Sequence, residues 1–496
     1  MYLPRPPGDR ERALYVDQDK RVLYALAVLS LISLATGMFL FATKHPYTWW
    51  YLPFALFLIV YLVISHLVGI FGRPFNKQIH QDRYDEWVCN GSRPTVDVYV
   101  TACNEPTEVI LNTLLYASRI NYENYRLHLL DDGHSERLRS FCEATGISYI
   151  ARPNPGHMKK AGNLRYAFQK TYGEFILILD ADFAPHRSII DHLLCEMLPN
   201  TAIVQSPQFF SVTESTTWVQ KGSAYVQELF YRLIQPSRDS HRAPICVGTC
   251  ALYRRSALSP FGGTAPIEYS EDLYTGWMVQ RAGWDVRYIP IALAKGLCPD
   301  TVSSYFTQQY RWSMGSLTML TNKEFWTTKL TPFQRLSFLS GMLYYIASGL
   351  GVIFTPIPSV VMLYAFPEAV KVWNWIFVIP SFLFGTVYMA LWSKHPFGFY
   401  ALRSRHVAYW AHIFAMFDKL RGNLMPWVPT GTKATKSKRV TYFFYLSQFY
   451  AVLIFSSVIS LSILNFEKVH FHSLPAIFFA TLGLAVARIS KHEIMA

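Results

Sequence analysis

No Cys-x-x-Cys pair occurs in this 496-residue chain. Its seven cysteines (Cys89, Cys103, Cys142, Cys195, Cys246, Cys250 and Cys298) all lie in the middle of the sequence. Cys246 and Cys250 are spaced as a zinc pair would be, but no second pair follows to complete a site. This argues against a zinc or disulfide framework, and the thiols read as free in a reducing compartment. A G-x-G-x-x-G turn is missing, which argues against a dinucleotide cofactor. No basic-aromatic module for nucleic acid is present, and no signal-peptide cleavage pattern precedes the first apolar run. Acidic residues are few: 33 against 46 basic ones, a net charge of +13. Charged residues make up only 16% of the chain, while 51% are hydrophobic and 16% aromatic. That is too apolar for disorder and too long for one ordinary domain.

The apolar residues gather at both ends. Residues 22–42 and 49–71 form two uncharged runs long enough to span a bilayer, joined by 43–48 as a hairpin. Apolar runs resume at 338–366, where Pro356 and Pro358 predict a kink. Residues 373–392 and 441–463 follow, and 474–486 is a short sixth span for which a buried core helix is the alternative. The segment 394–439 holds Arg403, Arg405, Lys419, Arg421, Lys433, Lys436, Lys438 and Arg439, whereas the loops 367–372 and 465–472 carry one lysine each. The positive-inside rule places the basic segment, both termini and the large middle block in the cytoplasm. The chain divides into a transmembrane hairpin (1–72), a cytoplasmic domain (73–330) and a carboxyl-terminal membrane region (331–496), with six spans in all. The positive charge then reads as membrane topology plus an anionic substrate. No regulatory domain is expected beyond Arg439.

Within the middle block, strands predicted at 95–101, 125–130, 148–151 and 174–179 alternate with helices at 108–118, 135–145 and 161–171. This order predicts an α/β fold with a mostly parallel, helix-covered sheet. Asp180-Ala181-Asp182 closes the apolar strand that starts after Gly173. Open α/β sheets present ligands at such strand ends. Two carboxylates this close ionise together most readily around a hard cation, Mg²⁺ or Mn²⁺, though a strand-end turn with two solvated acids has the same pattern. Asp131-Asp132-Gly133 also ends a strand, suited to a nucleotide's base or ribose or to a plain turn. Ser270-Glu271-Asp272 fits a helix cap, and Gln308 to Trp312 lies on an amphipathic helix that fits an interfacial anchor.

Together and in this order, these segments resemble the D, DxD, TED and QxxRW signature of membrane-embedded processive family-2 glycosyltransferases, the cellulose synthase and hyaluronan synthase group. Asn104-Glu105, the Lys160-Ala161-Gly162-Asn163 segment, the stretch beginning Gln205-Ser206-Pro207 and Val247-Gly248-Thr249 extend the likeness, which covers 94–312. The resemblance implies a GT-A-like domain. Asp180 and Asp182 would hold Mg²⁺ or Mn²⁺, with Asp182 the metal ligand proper. Glu105 and Asp131 would meet the nucleoside end of a UDP-sugar, and Lys160 and Arg311 its diphosphate. Asp132, Asp180 and Gln308 would also belong to the nucleotide-sugar site. Asp272 would be the general base, and Trp312, Gly248, Thr249 and Glu271 would line the acceptor. Trp427, Thr430, Gly431 and Lys433 resemble a gating loop in 427–440, for which a basic juxtamembrane linker is the alternative. Phe183 departs from the pattern, standing where bacterial cellulose synthases carry a histidine that helps the metal. Val247 and Thr249 replace a Cys and a Ser near the acceptor. The implied activity is inverting, processive transfer of a hexose to a β-glycan secreted through the membrane, with UDP-glucose the first choice of donor. A UDP-N-acetylglucosamine synthase making a chitin- or hyaluronan-like chain, and a non-processive transferase acting on a lipid carrier, are the alternatives. Aromatics of the later spans, such as Tyr344 and Tyr345, are channel-lining candidates.

Overall fold

Among the described residues, short apolar runs between turn residues give ten strands: β1 (Val96–Ala102), β2 (Tyr125–Asp131), β3 (Ser148–Ile150), β4 (Phe175–Asp180), β5 (Ala184–Pro185), β6 (Thr201–Gln205), β7 (Phe209–Phe210), β8 (Ala251–Arg254), β9 (Asp285–Tyr288) and β10 (Ala294–Gly296). The computed structural model describes residues 3–16, 20–393, 398–422, 438–490 and 493. Seven strands form the main sheet in the order β3-β2-β1-β4-β8-β6-β9. β1 pairs in parallel with β2 and β4, and β8 runs antiparallel between β4 and β6. Every residue of β1 and all but the last of β4 are buried, as central parallel strands covered on both faces require.

The chain enters this sheet at its centre. From β1 it steps outward to β2 and β3, then returns past β1 to β4 and continues to the other side. Connections therefore leave β1 and β4 in opposite directions, which opens a crevice at their carboxyl ends. Thr101 of β1 stands opposite Asp180 of β4 in register. The predicted first four strands and the helices between them correspond to β1–β4 and to Thr107–Ala117, Glu136–Thr145 and Lys159–Lys170. Two features lie outside the prediction: the inverted strand β8, and a second small sheet of order β5-β10-β7.

Helices Trp218–Leu229, Val302–Leu320 and Gly398–Arg421 pack on one another beside the sheet domain. Their shared core includes Val219, Phe306, Tyr310, Met314, Trp410 and Ala411. A Cβ on Gly222 would meet the Tyr400 carbonyl at 2.4 Å, so the glycine sets how closely the first and third of these helices approach.

Among the described residues, five helices are long and apolar enough to cross a membrane: Arg21–Ala42, Pro46–Ile70, Pro332–Ala365, Lys438–Leu464 and Phe466–Ala487. Residues exposed on them, such as Leu29, Phe39, Leu56, Val60, Phe449 and Leu453, are large and hydrophobic, as surfaces facing lipid are. The predicted kink is present: helix Pro332–Phe354 ends at Thr355 and Pro356, and Ile357–Ala365 continues beyond. Of the six spans expected, the run at 373–392 is not among these five. The run at 373–392 breaks into a 3₁₀ segment Val372–Phe377, a turn of helix Ile379–Leu383, a π-helical turn Phe384–Tyr388 and Met389–Ser393. Pro380 removes a backbone donor inside it. The last span runs longer than predicted, because residues from Phe466 onward extend it.

Candidate active site

Asp180 lies at the centre of the crevice. Its backbone N–H donates to Thr249 Oγ at 2.8 Å, and Thr101 Oγ donates to its carboxylate at 3.3 Å. The Lys160 ammonium donates to the same carboxylate, and to the Gly248 carbonyl at 2.9 Å. Asp182 follows two residues on. Burial pushes its carboxyl up to about 7, reinforced by repulsion from Asp180 and Glu105. Glu105 stands just past β1, beyond Asn104 in left-handed backbone (φ 64°), and accepts the Cys103 N–H at 2.5 Å. Burial raises Glu105 as well, to about 7, with Asp180 and Asp131 adding to it. Phe183, next to Asp182, is buried against Gly296 in the core and offers no ligand.

Asp131 and Asp132 both make bonds within the protein. Asp131 is 1% exposed and accepts N–H groups from Gly133 (2.8 Å) and Ser135 (2.7 Å) and the Tyr149 hydroxyl (2.9 Å). Asp132 takes a two-pronged ion pair from Arg152, which is itself 1% exposed, and accepts the Gly156 N–H at 3.0 Å. Both carboxylates are thus occupied within the scaffold, capping the turn after β2 and fastening the 152–159 loop. Arg152 also donates to the carbonyls of His157 and Lys159. This packing explains the small residue in the Lys160–Asn163 segment: a Cβ on Gly162 would overlap the Arg152 guanidinium and the His157 carbonyl. Asn163 Nδ2 then ties the helix to the Leu130 carbonyl at 3.0 Å.

The second wall is the 245–249 loop. Gln205 accepts the Val247 N–H at 3.0 Å and donates to the Ile245 carbonyl at 2.7 Å, while Gln208 donates to the Val247 carbonyl at 3.1 Å. This loop presents Gly248, in left-handed backbone (φ 73°), directly beneath Asp272. Thr249, predicted at the acceptor, is fully buried and spends its hydroxyl on Asp180. Asp272 sits in the first turn of helix Glu271–Arg281, entered through Ser270 at φ 54°. Burial pushes Asp272 up to about 7, with repulsion from Glu271 next in size.

Arg311 comes from helix Val302–Leu320. Burial lowers its pKa, opposed by attraction to Glu271, Asp180, Tyr269 and Asp272. Gly315, one turn on, lets this helix seat against Ser270: a Cβ there would come within 2.4 Å of the Ser270 Cβ. Trp312 is half-buried, and the Gln308 Oε1 is buried without a partner. Lys160 is pulled down by burial, but attraction to Asp180, Glu271 and Asp272 outweighs this and holds the ammonium above its ordinary range. Trp427, Thr430, Gly431 and Lys433 lie outside the described residues.

Asp180, Asp182, Glu105, Glu271 and Asp272 thus face two cations, Lys160 and Arg311, in one electrostatically connected cluster. Among the described residues, five carboxylates against two bases leave the crevice short of positive charge. Asp180 and Asp182 offer hard carboxylate oxygens of the kind Mg²⁺ or Mn²⁺ takes, with Glu105 electrostatically coupled to both. Left-handed non-glycine residues Asn104, Lys159 and Ser270 immediately precede Glu105, Lys160 and Glu271. Each such conformation costs roughly 1–3 kcal/mol, and strain of this kind gathers at functional sites. Thr101, Tyr149, Arg152 and Gly315 belong to this arrangement and carry no motif signal.

The family model described as "Glycosyltransferase like family 2" matches residues 94–315. The UDP-forming cellulose synthase catalytic subunit of Xanthomonas axonopodis pv. citri (strain 306) is 34% identical over 260 residues, 51% of this chain and 36% of that one. The corresponding subunit of Pseudomonas fluorescens (strain SBW25) is 32% identical over 340 residues, 65% of this chain and 45% of that one. The chain therefore spans less than half the length of these curated relatives. Among solved structures, the mannosyltransferase PcManGT from Pyrobaculum calidifontis, in complex with GDP-Man and Mn²⁺, superposes with a TM-score of 0.53 at 14% identity, over 74% of this chain and 99% of that one. That likeness is one of fold.

Proposed function

We propose, on the premise that residues 94–315 belong to glycosyltransferase-like family 2, that this chain is a membrane-bound inverting hexosyltransferase that extends a β-glucan from UDP-glucose. The observation that carries the reading is the connected cluster of Asp180, Asp182, Lys160, Glu271, Asp272 and Arg311 at the ends of β1 and β4. The choice of donor follows the curated relatives, whose names give UDP as the product.

Asp180 and Asp182 would hold the divalent cation, with Glu105 beside them. A bound Mg²⁺ or Mn²⁺ neutralises a diphosphate and stabilises its departure. Lys160 and Arg311 supply the remaining positive charge, and the planar guanidinium of Arg311 suits paired phosphate oxygens. Asp272 takes the proton of the acceptor hydroxyl as that oxygen attacks the anomeric carbon. One displacement inverts the configuration, so an α-linked donor gives a β-linkage. Positioned base catalysis contributes ~10²–10⁴-fold. The Trp312 ring offers an apolar face for the acceptor sugar. The domain 73–330 would work on the cytoplasmic side, with the regions 1–72 and 331–496 in the membrane providing a route outward for the growing chain.

Incubation of the purified chain with each UDP-hexose and Mg²⁺ or Mn²⁺ tests this. UDP release with UDP-glucose, and a polymer cut by β-glucan-specific hydrolases, is the expected result. Release with UDP-N-acetylglucosamine alone would move the donor assignment, and silence of the folded protein with every UDP-sugar would remove the enzyme reading.

A further inference from the structure

Tyr310 immediately precedes Arg311, and its side chain points about 100° away around the helix, into protein. It is fully buried, and its hydroxyl donates to Asp418 Oδ2 at 2.8 Å. Asp418 comes from the last turn of helix Gly398–Arg421 and is 5% exposed. Arg439, in the first turn of helix Lys438–Leu464, closes on the same carboxylate from the other side, with Nε 2.5 Å from Oδ2 and Nη2 3.0 Å from Oδ1. Three helices thus meet on one carboxylate. Around it the packing is apolar: Phe306 lies 5.2 Å from Phe443 and 5.9 Å from Phe414, ring centre to ring centre. Lys419, next to Asp418, adds a bond to Thr318 Oγ at 3.3 Å, about two turns beyond Tyr310 on helix Val302–Leu320.

Apolar contacts of this kind fix the separation of helices but constrain rotation about an axis weakly, because rings slide on rings. A hydrogen bond to a carboxylate held on both oxygens is directional. Successive helix residues point about 100° apart, so the rotation that places Tyr310 on Asp418 is the one that places Arg311 toward Glu271, Asp180 and Asp272. A guanidinium about 7 Å from the axis moves on the order of 2.5 Å for a 20° turn. Displacements near 1 Å already cost up to about 100-fold in a positioned reaction.

We propose that Asp418, held by Arg439 and gripping Tyr310, is a positioning residue that sets the rotation of helix Val302–Leu320 and thereby aims Arg311 at the donor's diphosphate. This rests on the proposed role of Arg311. The same ion pair joins the two helices between which residues 423–437 run in sequence.

Tyr310→Phe removes the hydroxyl and little else. In the full-length chain it is expected to lower kcat for UDP release about tenfold, with donor KM raised no more than severalfold and the melting temperature almost unmoved. In an Arg311→Lys background the same change should cost less than twofold, because the side chain it aims is already gone. A kcat within twofold of wild type, or a full tenfold loss repeated in the Arg311→Lys background, overturns the proposal. Should Tyr310→Phe not fold, Asp418→Asn keeps an acceptor for the hydroxyl while weakening the Arg439 clamp. It is then read by the same two comparisons. If the folded wild type releases no UDP from any UDP-sugar, the function reading falls separately. Calorimetric binding of UDP with Mn²⁺ then decides: severalfold weaker binding in the variant supports the positioning role, and equal binding overturns it.

Discussion

The Cα of Gly248 lies directly against the Asp272 side chain: a Cβ at position 248 would come within 2.9 Å of the Asp272 Cβ and 3.1 Å of its Oδ2. The same residue has φ 73°, and its carbonyl accepts from Lys160. One glycine therefore sets the height of the proposed base and ties it to the proposed phosphate-facing lysine. Gly248→Ala adds left-handed strain of roughly 1–2 kcal/mol and pushes Asp272 off its seat. We expect kcat to fall on the order of 100-fold with the protein still folded, checked by UDP release and a thermal melt.

Asp272 itself should impose the acid limb of the pH profile. Burial, then repulsion from Glu271, holds it up near about 7. A base works only when deprotonated, so turnover should be lost as pH falls through that value and be complete above it. The expected log kcat rises with unit slope below about pH 7 and flattens above it. Asp272→Asn should bind UDP as wild type does and release none from donor. A flat profile between pH 5 and 8, or retained turnover in the asparagine variant, would place the base elsewhere.

The acidic crowding makes a separate claim about cations. With Glu105, Asp180, Asp182, Glu271 and Asp272 set against Lys160 and Arg311 among the described residues, a diphosphate donor should bind poorly without an added ion. Chelation is expected to abolish UDP release, and Mg²⁺ or Mn²⁺ to restore it. Asp182→Asn should lower restored activity by at least 100-fold while leaving the melt of the chelated protein equal to or above that of wild type, because one buried like charge is gone. Full activity in chelator would sink the metal reading.

What could be read from the residues, and what could not, divides along contact range. The run into Asp180 was legible because five apolar residues follow Gly173-Glu174 without interruption, a pattern set by one strand alone. Ser270 to Asp272 and Gln308 to Trp312 were legible only through resemblance, since a helix cap and an interfacial anchor look the same locally. The occupation of Asp131 and Asp132 was hidden: it depends on turn N–H groups and on Arg152, which arrives from the far side of a helix. The broken run at 373–392 escaped because hydropathy averages over a window and does not register where Pro380 removes a donor. The Tyr310–Asp418 bond spans 108 residues of sequence, and no local pattern encodes it.

The Asp132–Arg152 pair supplies a prediction about stability and not chemistry. Their side chains are 5% and 1% exposed, and two of the guanidinium nitrogens meet the two carboxylate oxygens. Removing one partner from a buried pair leaves the other charge without compensation, at a cost of about 3–5 kcal/mol. Asp132→Asn should therefore depress the melting temperature of the sheet domain strongly. Arg152→Met, which removes the charge but leaves Asp132 its Gly156 N–H, should lower it as well, because the carbonyls of His157 and Lys159 lose their donor. The double variant Asp132→Asn/Arg152→Met should recover part of the loss, since no lone charge remains. If Asp132 instead served the nucleotide directly, Asp132→Asn would melt like wild type and lose UDP affinity. The two readings thus separate on one melt and one binding isotherm, and the bidentate geometry favours the first.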